Sequence, residues 1–165
     1  MIKIMKSGNI FRATTNHGTP EAIVIPINCV GVMGKGIALQ SKKVFPTNFI
    51  EYKSACLCNR VQPGQILTSF DLNLKMDILQ WVFNFPTKRH WRNKSLICDI
   101  ESGLKALIKK IERLSIKSVA IPPLGCGLGG LDWDVVRPLI EKAFKPYPKV
   151  EVLLYAPRSR TIKEK

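Results

Sequence analysis

Pro122-Pro123-Leu124-Gly125-Cys126-Gly127-Leu128-Gly129-Gly130-Leu131-Asp132-Trp133 places four glycines within six residues, between an apolar run ending at Ile121 and a segment with helical spacing. Glycines at this density let the backbone approach a ligand closely and turn its N–H groups inward. Set between a strand end and a helix start, such a loop is suited to phosphate. No Gly-Lys-Ser or Gly-Lys-Thr ending places a hydroxyl for magnesium, and the spacing is not the dinucleotide fingerprint. Both departures weigh against ATP hydrolysis and hydride transfer. A second loop of the same kind, Asn28-Cys29-Val30-Gly31-Val32-Met33-Gly34-Lys35-Gly36-Ile37-Ala38, follows the apolar run Ala22–Ile27. The two loops predict one diphosphate held between two βα units.

Working outward, strand and helix alternate. Ala22–Asn28 has the length and continuous apolarity of a strand buried on both faces. Pro26 removes one ladder bond and predicts an irregular end. Further strands are predicted over residues 1–6, Ile66–Phe70, Ile78–Phe85, Lys117–Ile121 and Val150–Tyr155. Helices are predicted from Gly36 to about Val44, Thr47 to about Leu57, Ser95 to about Leu114 and Asp132 to about Phe144. In the third helix, Leu96, Ile100, Leu104, Leu107, Ile108 and Ile111 share the inner face. Arg158 to Lys165 reads as a basic tail. The pattern predicts one α/β domain over residues 1–165, with a mixed or mostly parallel sheet between helix layers. Ligands of such sheets bind beyond the carboxyl ends of the strands, where both glycine loops fall.

The chain has 26 Lys and Arg against 12 Asp and Glu, a net charge of +14, and 45% hydrophobic residues. A disordered or fibrous chain is excluded by that apolar content. The charge favours an anionic partner, nucleic acid first. Five cysteines without a CxxC pair, and only His17 and His90, exclude a zinc site and a secreted disulfide framework. No metal, cofactor or membrane is therefore expected. The expected setting is a reducing cytoplasm and the expected state a monomer.

Three further positions carry candidate chemistry. Asn28, at the end of a buried strand, must find partners for its amide: it either braces the loop or bonds a sugar hydroxyl. Gly34-Lys35-Gly36 opens a helix whose N–H groups and dipole favour phosphate or the adjoining ribose, and Lys35 is either part of that contact or a solvated charge. Phe83-Asn84-Phe85-Pro86-Thr87-Lys88-Arg89-His90-Trp91-Arg92 leaves a strand carrying cations interleaved with aromatic rings, a composition suited to a nucleic-acid strand. Lys88 follows the strand where the two loops converge, and a lysine desolvated among other cations can become a nucleophile.

Taken together, the stretches Asn28–Gln40, Asn84–Arg92 and Gly125–Trp133 resemble a macrodomain, the ADP-ribose-binding fold, and more narrowly the macrodomain of the DNA ADP-ribosyl glycohydrolase antitoxins. The resemblance covers nearly the whole chain, and Thr87-Lys88-Arg89-His90-Trp91 makes it specific. It implies a three-layer α/β/α macrodomain with a mixed central sheet. It further implies removal of ADP-ribose from thymidine in single-stranded DNA, as an antitoxin against a cognate DNA ADP-ribosyltransferase toxin. Lys88 corresponds to the catalytic lysine, with Thr87 and His90 beside it among the substrate contacts. Asn28 would bond the distal ribose, while Gly34, Lys35, Gly36 and Ile37 would wrap the diphosphate and distal ribose together with Gly125, Cys126, Gly127, Leu128 and Gly129. Asn9 stands where many macrodomains carry an aspartate that reads adenine, Ile10 supplies a backbone contact, and Tyr155 packs on the adenosine. Arg89, Trp91 and Arg92 would hold the DNA. Gly129 stands where a related branch carries an acidic residue, so that general acid is absent here. The rival readings are an ADP-ribose 1″-phosphatase or other hydrolase of free or protein-linked ADP-ribose, and a module that binds ADP-ribose without cleaving it.

Overall fold

The computed structural model describes residues 1–158. Six strands form one sheet: β1 (Ile2–Met5), β2 (Ala22–Asn28), β3 (Leu67–Asn73), β4 (Ile78–Lys88), β5 (Ser118–Ile121) and β6 (Glu151–Tyr155). Their spatial order is β1-β6-β5-β2-β4-β3. All neighbours run parallel except the edge hairpin of β3 and β4. The sheet is mixed, as expected.

Side chains alternate across the pleat. Ala22 and Val24 of β2 join Phe83, Phe85, Val119 and Ile121 on one face, under α3 (Ile97–Arg113) and α4 (Trp133–Phe144). Ile23, Ile25 and Ile27 join Val82, Ala120 and Leu153 on the other, where Val44 of α1 (Gly36–Val44) and Tyr52 and Ala55 of α2 (Pro46–Leu57) pack. Because β2, β5 and β6 are covered on both sides, their sequences read as unbroken apolar runs. The result is the three-layer α/β/α architecture. α4 starts where the Asp132 carboxylate accepts the Asp134 N–H at 2.9 Å, a side-chain cap for one orphan donor.

Several boundaries moved, each for a physical reason. β4 continues through Thr87 to Lys88 rather than ending at Phe85, because β2 remains beside it: Ile27 pairs with Pro86, the register slips, and Asn28 pairs with Lys88. The slip falls at the strand end that is irregular on the sequence reading, although Pro26 itself keeps Phe85 as its partner. Lys88 is thus the last residue of the strand, not the first after it. β3 reaches Asn73, whose carboxamide accepts the N–H groups of Lys75 and Met76 and so shapes the turn into β4. Leu96 lies outside the inner face of α3: it precedes the helix in extended backbone and is 45% exposed. Pro46 heads α2 as well as ending α1, a place its fixed φ favours. Of the basic tail, residues 159–165 lie outside the described residues.

Gly103 of α3 lies against the ring of Phe85, and a Cβ built there would overlap the ring atoms. Gly103→Ala gains up to about 1 kcal/mol of helix propensity, but overpacking a tight core costs about 1–3 kcal/mol. We expect a net loss of about 1–2 kcal/mol, read as a lower urea midpoint; an unchanged midpoint would show that the ring yields freely.

Candidate functional site

The first wall of the site hangs from Asn28, the buried last residue of β2. Its Nδ2 donates to the Val32 carbonyl at 2.7 Å, and its Oδ1 accepts the N–H groups of Val30 at 3.1 Å and Val32 at 3.3 Å. The hydroxyl of Tyr52, buried on α2, donates to the same Oδ1 at 2.8 Å and to the Asn28 carbonyl at 2.9 Å. Of the two roles open to Asn28, loop bracing is realised, and only the second hydrogen of its amide is left without a partner among the described residues. The loop enters α1 at Lys35, whose side chain makes no capping bond. Gly36 sits at φ +59 with no neighbour where a Cβ would stand. Among the described residues, the N–H groups of Gly36, Ile37 and Ala38 have no acceptor, so the first turn of α1 presents orphan donors at the positive end of a helix dipole.

The second wall is the loop between β5 and α4. The Leu131 N–H donates to the Gly125 carbonyl at 2.9 Å, and Gly125 takes φ +72. Gly129 is buried against Ser95, whose N–H donates to the Gly129 carbonyl at 3.0 Å; a Cβ on Gly129 would strike the Ser95 hydroxyl and the Gly125 carbonyl. The loop glycines therefore divide. Packing demands Gly125 and Gly129, while Gly127 faces open space and Leu128 is exposed. The N–H groups of Gly127, Leu128 and Gly129 have no acceptor among the described residues. Cys126 donates its thiol hydrogen to the Leu124 carbonyl at 3.4 Å. Burial pushes the thiols of Cys126 and Cys29 up to about 11, so neither is a thiolate near neutral pH.

Lys88 ends β4 opposite Asn28. It is half-buried, and its Nζ donates weakly to the Trp91 carbonyl at 3.4 Å. Desolvation first, and the nearby Lys94 second, hold its pKa below the ordinary lysine range. Thr87 beside it is buried. Two strands beyond β2 in the sheet, Tyr155 ends β6 and packs on Gly8: a Cβ on Gly8 would lie 3.7 Å from the ring. Next to Gly8, Asn9 caps a one-turn 3-10 helix (Ile10–Arg12), its Oδ1 accepting the Phe11 N–H at 3.0 Å. A carboxamide oxygen keeps a second lone pair, so the cap leaves room for one more donor. β6 and β4 are three strand spacings apart, about 14 Å.

The segment after Lys88 is organised internally. Arg89, assigned from sequence to DNA, is already engaged: its Nε and Nη2 meet the two oxygens of Asp99 at 3.2 and 3.1 Å. Asp99 is buried in the first turn of α3, and a bidentate guanidinium is its natural partner. Arg92 lies over the Trp91 ring, 4.6 Å from its centroid, and its N–H donates to His90 Nδ1 at 3.1 Å. Trp91 remains 46% exposed. Three supporting residues were missed from sequence: Tyr52, Ser95 and Asp99. Asp99 carried a usable signal, an acidic residue in the first turn of a strongly amphipathic helix; Tyr52 and Ser95 carried none, since each acts through a contact distant in sequence.

The family model for the Macro domain matches residues 24–140. A Mycobacterium tuberculosis protein named DNA ADP-ribosyl glycohydrolase is 45% identical over 151 residues, covering 92% of this chain and 41% of that protein. A Thermosipho africanus DNA ADP-ribosyl transferase-DNA ADP-ribosyl glycohydrolase fusion protein is 34% identical, covering 98% of this chain and 45% of the fusion. The chain thus spans less than half the length of these relatives. Among solved structures, the macrodomain of Mycobacterium tuberculosis DarG matches with a TM-score of 0.86 and 43% identity, covering 95% of this chain and 98% of that one. Thermosipho africanus DarTG in complex with ADP-ribose matches with a TM-score of 0.83 and 32% identity, covering 99% of this chain and 42% of that one.

Tyr52→Phe removes the hydroxyl that ties α2 to Asn28. We expect a loss of about 1–2 kcal/mol, the scale of a buried hydrogen bond whose partner is stranded, and faster amide hydrogen exchange at Val30 and Val32. Unchanged exchange at both amides would show that the loop is braced without Tyr52.

Proposed function

Since this chain belongs to the Macro domain family, we propose that it binds ADP-ribose in the cleft between the two loops and removes it from thymidine in single-stranded DNA. The observation that carries the reading is Lys88, a half-buried lysine of lowered basicity that ends β4 paired with Asn28, beside the strand ends from which the two loops with acceptor-free N–H groups depart. Support comes also from relatives named for this activity.

On this reading the diphosphate lies against the N–H groups of Gly36 and Ile37 on one side and Gly127, Leu128 and Gly129 on the other. The adenosine extends toward Asn9, Ile10 and Tyr155, and the distal ribose toward Asn28 and Lys88. The unprotonated Lys88 amine attacks C1″ as the C1″–N bond breaks, and the bonding pair leaves with the thymine nitrogen. The proton shed by the new Lys88–C1″ link goes to that nitrogen. Water then displaces lysine from C1″, returning the free amine and ADP-ribose. A step of this kind needs a neutral amine, which desolvation and Lys94 favour. No other side chain of the loop competes for the role: Cys126 stays a neutral thiol, Gly129 has no side chain, and Asp132 is occupied in capping α4.

Trp91 and Arg92 are the contacts of this segment best placed for the DNA, with His90 orienting them; Arg89 is tied to Asp99. A reader that only bound ADP-ribose would gain nothing from a desolvated lysine, and a hydrolase of the free nucleotide nothing from an exposed Trp91. The partner on this reading is a DNA ADP-ribosyltransferase, as the fusion relative's name joins the two activities. The unit works as a single monomeric domain in the cytoplasm; among the described residues no helix is long and apolar enough to cross a membrane.

Lys88→Ala should lower release of ADP-ribose from modified DNA by about 100-fold or more, the scale of losing a catalytic proton-transfer or nucleophilic group, while calorimetry still shows ADP-ribose binding. Equal release by both proteins would remove Lys88 from the chemistry. Because the pKa of Lys88 is lowered, its reactive form accumulates at lower pH than in free lysine. The rate should therefore rise with pH and level off below the ordinary lysine value of 10.5; a profile flat from pH 6 to 10 would contradict an amine that must be unprotonated.

A further inference from the structure

We infer that the DNA strand leaves the cleft along a basic groove between α3 and the chain segment leading into β3. The inference rests on the orientation of ADP-ribose proposed above, with adenosine over β6 and the distal ribose at β4. In the sheet order the next strand beyond β4 is β3, so whatever is attached to C1″ is directed toward that edge.

A groove of about 480 Å³ opens there, lined by Cys29, Gln62, Pro63, Arg89, Asp99 and Ser102. Cys29 and Arg89 directly follow Asn28 and Lys88, so this groove begins at the reacting sugar. Ser102 also lines a second groove, of about 370 Å³, with Gly64, Gln65, Lys105, Lys109, Lys110 and Arg113. The two run on from one another down the length of α3. Lys105, Lys109 and Arg113 repeat at four-residue intervals, a single stripe on the helix with steps of about 6 Å along its axis. That stripe offers one cation after another to successive backbone phosphates.

These cations are available. The ion pairs among the described residues are Arg89–Asp99 and Arg137–Glu141, and neither involves the stripe. Of the acidic residues on α3, Asp99 is held by Arg89 and Glu112 accepts the Tyr147 hydroxyl at 2.7 Å, leaving Glu101 as the remaining carboxylate. No aromatic side chain lines the second groove. Contacts there are to phosphates, which position a strand without reading its sequence. Volumes of this size belong to ligand-scale clefts, the scale of a few nucleotides of one strand.

The test is fluorescence anisotropy with a labelled, unmodified single-stranded oligonucleotide. Three cations are replaced together (Lys105→Ala, Lys109→Ala, Arg113→Ala), and the control carries Lys3→Ala, Lys42→Ala and Lys43→Ala, on β1 and on α1 across the sheet from α3. The groove variant should bind about a hundredfold more weakly at 0.1 M salt, with the salt slope reduced by about 2, three single-strand phosphate contacts' worth. Its ADP-ribose binding should be unchanged. If it lost ADP-ribose binding, the single variants Lys105→Ala and Lys109→Ala would be read instead, each expected to reduce the slope by about 0.7. Undetectable binding by the wild type, an unaltered slope in the groove variants, or an equal loss in the control would overturn the proposal. Release of ADP-ribose from the modified mononucleoside is measured in parallel. A wild type inactive on both nucleoside and DNA would refute the proposed activity, while the oligonucleotide measurements would still decide the groove.

Discussion

A single buried carboxamide sets the geometry on which the site depends. Asn28 ends an apolar strand where β2 and β4 lose register, and its polar groups have no sheet partner to satisfy them. The chain answers by folding residues 29–32 back onto the side chain and by bringing the Tyr52 hydroxyl from α2. Leaving either group unsatisfied in that environment would cost about 1–3 kcal/mol, enough to hold the loop in one arrangement. The loop then delivers α1 with its first turn uncapped. A structural requirement at the end of β2 and an unfilled set of donors at the start of α1 are thus two ends of one short segment.

The sheet order does the rest. A continuous parallel run from β6 through β5 and β2 to β4 brings four carboxyl ends to one side, so the two loops and Lys88 converge with no element built for that purpose. The register slip between Ile27 and Asn28 matters here. It lets β4 extend to Lys88 and places the amine opposite Asn28 instead of in a solvated turn. Lodged at a strand end, the lysine loses water; in a loop it would have kept its hydration and its ordinary basicity.

The parts of this arrangement that were legible in the sequence are those written locally. β2 showed as an apolar run, α1 as a glycine followed by helical spacing, α3 as a stripe of Ile and Leu, and both loops as clustered glycines. The misplaced boundaries all involve partners distant in the chain. Lys88 belongs to a strand because β2 lies beside it, and nothing in Pro86-Thr87-Lys88 announces that neighbour. Arg89 reads as a free cation until Asp99, ten residues on, is found beside it. The glycines of the 125–130 loop read alike, yet Ser95 makes Gly129 a packing residue and leaves Gly127 facing solvent. Composition gave an excess of positive charge, but not that Lys105, Lys109 and Arg113 would share a groove with Gly64 and Gln65.

The distribution of charge separates two tasks that a basic protein could easily confuse. On the proposed reading, the anion contacts between the two loops come from backbone N–H groups and helix dipoles, which are fixed, uncharged overall and close to the ligand. Along α3 they come from lysine and arginine side chains, which are mobile, fully charged and solvated. Fixed donors suit a ligand that must be placed to within a fraction of an ångström, because they lose no side-chain freedom on binding. Mobile cations suit a polymer whose sequence varies and which must be released after reaction, because their contacts weaken with salt and tolerate displacement. Lys88 stands on the boundary between these zones. It is desolvated by the first and held below its ordinary basicity in part by a cation of its neighbourhood, Lys94. The same positive field that draws in a phosphate backbone therefore also favours the neutral form of the amine.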